Sequence, residues 1–67
     1  KHIPIQDLEK AVEVHPDFEE AWYNLTILYY GEQEQQNAIV AAEKLVELDS
    51  ENEKYKEILN SLQEFYE

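Results

Sequence analysis

Sixty-seven residues allow one small domain, with too little interior for a large core or a deeply buried active site. Sixteen acidic residues against five basic ones leave a formal charge of -11, which offers no basic patch to phosphates and would be repelled by anionic membranes. One glycine and two prolines are too few turn residues for an all-β chain, so the fold is expected to be all-α.

Taken in chain order, the hydrophobic spacing predicts four helices. The first starts near Ile3, with Pro4 suited to an opening turn where its missing N–H costs nothing. Ile5, Leu8, Ala11 and Val12 then recur at helical spacing, and His15-Pro16 ends the helix because Pro disfavours helix in the residue before it. Asp17, with Glu20 three residues on, reads as a capping box opening helix two. That helix carries Phe18, Ala21, Trp22, Leu25, Leu28 and Tyr29 on one stripe and stops near Gly31. Helix three is expected from about Glu34 to Leu48, with Ala38, Ile39, Ala42, Leu45 and Val46 inward. A second capping box, Ser50 with Glu53, opens helix four. Its stripe is Tyr55, Ile58, Leu59, Leu62, Phe65 and Tyr66, against a polar outer face that includes Lys56 and Asn60.

An internal period runs under these elements. Glu9-Lys10-Ala11-Val12-Glu13 is echoed by Glu43-Lys44-Leu45-Val46-Glu47, so the numbering is offset by 34. At the same offset Ile5 meets Ile39, Leu25 meets Leu59, and Leu28 meets Leu62. A fixed period means one supersecondary unit stacked on itself, because such a unit cannot bury its apolar face alone.

Residues 19–52 resemble one tetratricopeptide (TPR) repeat. Trp22, Leu25 and Tyr29 stand at the family's spacing, with Ala38 sixteen residues after the Trp. Thr26, Ala42 and Ser50 depart from the family's small residue, aromatic and Pro, although Pro16 stands one full period before Ser50. The resemblance implies an α-solenoid fragment of antiparallel helix-turn-helix units. Residues 1–18 would be the second helix of a preceding repeat, 19–52 a complete repeat, and 53–67 a capping helix. It also places Gln33 where the family has Gly, so helix two is expected to end early or its turn to be reshaped. Trp22 is expected to wedge between helices two and three, where its truncation would unfold the chain.

Tyr23, Ile27 and Tyr30 recur at i, i+4, i+7 on a second face of helix two. By the resemblance, Tyr23, Asn24, Ile27 and Tyr30 would face a peptide in a concave groove, with Lys54, Glu57, Ser61 and Glu64 on the following helix. The alternative is that Tyr23 and Ile27 pack against a neighbouring helix that lies outside this sequence. Asn24 and Lys54 match two places of the clamp that holds acidic chaperone tails. Ile58 stands at its Arg place, however, and the charge opposes an acidic tail, so that specialisation is not expected.

No catalytic constellation is legible. His2 and His15 lack a Ser or Cys partner in a recognisable motif, and carboxylate pairs such as Glu9 with Glu13 arise freely in so acidic a chain. Neither a phosphate loop nor zinc or calcium spacing is present, so no cofactor and no metal are expected. The chain lacks a run of about 18 apolar residues. Absence of cysteine excludes disulfides and leaves the compartment open, the cytoplasm being the expected one. The first residue is Lys rather than Met, which fits a piece of a longer chain. The expected function is a non-enzymatic peptide- or helix-binding module whose partner is a neutral to basic protein or peptide. The second candidate is a structural element that pairs as a weak homodimer through exposed apolar faces.

Overall fold

A computed structural model describes residues 4–65, and it is all-helical. The helices are α1 (Ile5–Val14), α2 (Glu19–Gly31), α3 (Gln35–Leu48) and α4 (Glu53–Phe65). Ile3, Tyr66 and the Phe65 side chain, assigned above to helix one and to the stripe of helix four, lie outside the described residues.

Connections of three or four residues force each helix back against the one before it. Among the described residues α1 packs on α2, α2 on α3 and α3 on α4, and no other helix pair brings Cα atoms within 8 Å. Tyr29, late in α2, reaches back to Glu9, midway along α1, so α2 folds back along α1 in the opposite sense. Tyr55 and Glu19, each near the start of its own helix, bond to one another, so α4 and α2 run in the same sense.

α3 lies between α2 and α4, and its composition suits that place. Ala38, Ala41, Ala42 and Leu45 are fully buried, and three small side chains let two neighbouring helices approach closely. Ala41 is an addition to the inward set read from the sequence. Leu8, Val12, Ala21, Leu25, Tyr29 and Leu62 complete the buried cluster, with Leu25 and Leu45 the largest fully buried side chains.

The period of 34 is visible in the backbone. Phe18 N–H donates to His15 O, and one period on Asn52 N–H donates to Asp49 O, both at 3.0 Å. His15 and Asp49 bond back to Ala11 and Leu45, and their dihedrals nearly coincide at φ -127, ψ 83 and φ -141, ψ 76. The α1–α2 and α3–α4 turns are therefore one turn used twice.

That shared turn moves both helix starts. Helix two opens at Glu19 with Phe18 at the cap position and no side-chain cap bond, so Asp17 lies one residue too early to form the expected box. Phe18 itself is 44% exposed rather than part of the core stripe. Helix four likewise opens at Glu53, and Asn52, not Ser50, supplies the cap. Its Oδ1 accepts from Lys54 N–H at 2.9 Å and from Tyr55 N–H at 3.3 Å.

At the end of α2 the expected early stop does not occur. The helix runs to Gly31, and Gln33 itself takes the left-handed conformation, at φ 63. Gln33 N–H donates to Tyr30 O, and Glu34 N–H donates to Tyr29 O at 2.9 Å, the two bonds of a Schellman closure. A glutamine side chain therefore occupies a position whose left-handed geometry favours glycine.

Trp22 also differs from expectation. It is half-buried, and its indole N–H donates to Pro16 O at 2.6 Å. Its polar edge thus anchors α2 to the preceding turn instead of being enclosed between α2 and α3.

Candidate groove between helices two and four

Because α2 and α4 both pack on α3 without closing on each other, a gap remains between them. It forms a groove of about 500 Å³. From α2 come Tyr23, Thr26, Ile27 and Tyr30, and from α4 come Lys54, Glu57, Ile58, Ser61 and Leu62. Both sets advance by three or four residues, as one face of a helix must.

Six of the eight residues singled out from the sequence, Tyr23, Ile27, Tyr30, Lys54, Glu57 and Ser61, are brought together here. Asn24 is half-buried and does not line the groove. The reason is angular: it is turned about 100° from Tyr23 around the helix, whereas Ile27 and Tyr30 return to within about 40°. Glu57 and Ser61 line the α4 wall, while Glu64 is exposed beyond it.

Sequence reasoning missed Thr26, Ile58 and Leu62 as groove residues. Ile58 and Leu62 belong to a stripe assigned wholly to packing, and each serves both purposes at the edge of that stripe. Thr26 is 3% exposed, and its hydroxyl donates to Trp22 O at 2.8 Å, which satisfies it within its own helix.

One end of the groove is bridged. The Tyr23 and Tyr55 rings lie with centroids 6.2 Å apart, inclined at 39°. Tyr55 donates its hydroxyl to Glu19 Oε2 at 2.6 Å. The hydrogen bond to that carboxylate, aided by burial and by the charges of Glu19 and Asp49, pushes the Tyr55 hydroxyl up to about 12. Lys54 Nζ lies over the Tyr23 ring, 5.6 Å from its centroid.

A similar pair holds the far side of α2. Tyr29 donates to Glu9 Oε2 at 2.6 Å, and burial first, then that bond and the charges of Glu9 and Glu34, raise its hydroxyl well above the usual range. No helix among the described residues is long and apolar enough to cross a membrane. Comparison with protein-family models, with curated proteins and with solved structures found no match.

Proposed function

We propose that this chain is a non-catalytic interaction module of tetratricopeptide type, which holds a short neutral to basic peptide or helix in the α2–α4 groove. The observation that carries the proposal is the groove itself. Its volume of about 500 Å³ suits a few side chains, and its walls pair exposed Ile27 and Tyr30 with Ile58 across the gap. Tyrosine offers a large apolar face with a polar tip at low entropic cost, as recognition surfaces often do. The duplicated turn at an offset of 34 supports the repeat reading, and the charge of -11 favours the basic end of the partner range.

The test is amide-shift mapping of the chain with short basic, neutral and acidic peptides, alongside a Tyr23→Ala, Tyr30→Ala variant. The proposal expects shifts clustered on the lining residues, and a variant that stays helical and loses binding. A variant that stays folded and binds unchanged would refute the groove.

Assembly is the second reading, favoured by Val14 at 59% and Val40 at 54% exposed. A mass that doubles with concentration in sedimentation would support it.

A further inference from the structure

At one end of the groove Tyr23 and Lys54 form the lining, and behind them Tyr55 and Glu19 join through a ring contact and a hydrogen bond. Lys44 and Lys56 pair with Glu47 and Glu53 on their own helices. Lys54, in a chain with sixteen acidic residues, instead lies over an aromatic face. That face attracts cations because the ring quadrupole places negative potential above its plane, within about 6 Å of the centroid. Tyr23 is therefore a cation site, and the chain's own lysine fills it. Tyr55 stands beside it as a second ring and holds the Glu19 carboxylate in place. A carboxylate accepts several hydrogen bonds, so Glu19 can serve Tyr55 and an incoming cation together.

Building on the groove proposed above, the geometry points to a cationic side chain, Lys or Arg of a bound peptide, as the occupant of this corner. It displaces the Lys54 ammonium from the Tyr23 face and meets the Glu19 carboxylate. Within the groove lining Lys54 and Glu57 offset one another, so the charge of the surrounding chain decides which ligands gather there, and that charge is -11. Lys54 is then a placeholder. Its removal strengthens binding, the reverse of the contact role that the sequence resemblance gives it.

The experiment titrates the whole chain with tetramethylammonium, N-acetyl-arginine amide and the uncharged N-acetyl-norleucine amide, followed by amide shifts. Both cations should move Tyr23 and Tyr55, and the neutral probe should not. Lys54→Gln should bind both cations about two- to fivefold more tightly, the equivalent of one exposed cation–π contact. Tyr23→Leu, which keeps apolar bulk but removes the π face, should lose a similar factor. Lys54 is exposed, so its variant should keep the helical spectrum of the parent. Unchanged or weaker cation binding by Lys54→Gln overturns the inference. If the neutral probe moves Ile27, Tyr30 and Ile58 while the cations leave Tyr23 unmoved, the cation site fails and the groove stands. If no probe moves any lining residue, both fail.

Discussion

Gln33→Gly should raise the stability of this chain. Gln33 stands at φ 63, in the left-handed region, where an L side chain crowds the following carbonyl. That conformation costs about 1–2 kcal/mol for an ordinary residue. The side chain is exposed, so little packing offsets the strain. Glycine removes the crowding, but it also leaves a freer unfolded chain, which costs about 0.5–1 kcal/mol. At the midpoints the net gain is about 0.75 kcal/mol, which in a domain of this size raises the melting temperature by about 3–6 °C.

Thermal melts followed by helical circular dichroism, with Asn and Val as companions, make the test sharper. Asn tolerates the left-handed region better than Gln, whereas a β-branched side chain tolerates it worst. The expected order of melting temperatures is Gly, Asn, Gln, Val. A Gly variant that melts at or below the parent, or a Val variant that melts with it, would refute the left-handed closure of α2.

Asn52→Ala should cost about 1 kcal/mol by removing the bonds to Lys54 and Tyr55 N–H, whereas Ser50→Ala should be nearly silent; the reverse order in urea denaturation would return the cap to Ser50. Tyr29 and Tyr55 should make the fold sensitive to alkali. Their hydroxyls ionise at higher pH when folded than the ordinary 10, so their contribution is fully present below pH 10 and is lost as pH rises through about 12 for Tyr55 and higher for Tyr29. Urea midpoints should fall above pH 10, and less steeply in a Tyr29→Phe, Tyr55→Phe variant. An equally steep fall in that variant would assign the effect to other groups.

Helix number, helix ends to within a residue or two, and most of the core were legible because they rest on apolar spacing and on Pro16. The starts of α2 and α4 were not, since a capping box is a local pattern, whereas here a turn closed from His15 or Asp49 decides which carbonyl begins the ladder. Gln33 was misjudged for a related reason: the remaining Schellman bonds hold the left-handed geometry even without glycine. Trp22 looked like an enclosed core residue because apolar area alone does not reveal where its N–H must go. Pro16 O accepts that proton, and the ring stays half-buried to reach it. At the groove, α2's contribution was legible as a second face, while α4's was hidden inside a stripe that packing already explained.

The alternative reading of Tyr23 and Ile27, as packing residues for a neighbouring helix, can be weighed against the internal repeat. Leu25 and Leu28 have apolar counterparts one period on, Leu59 and Leu62, although core Tyr29 has exposed Gln63. Tyr23, Ile27 and Tyr30 have Glu57, Ser61 and Glu64, none of them apolar. Tyr23 does find a neighbour, since α4 presents Tyr55 and Lys54 to its ring. Ile27 and Tyr30 remain 52% and 49% exposed with α4 already in place. Packing within this fold therefore accounts for Tyr23, while about half of Ile27 and of Tyr30 stays open to solvent. An Ile27→Ser variant carries the consequence: it should cost well under about 1 kcal/mol of stability, as exposed substitutions do, while weakening any peptide seated against Ile58. A large loss of stability in that variant would make Ile27 a core residue and remove half of the apolar wall on which the proposed function rests.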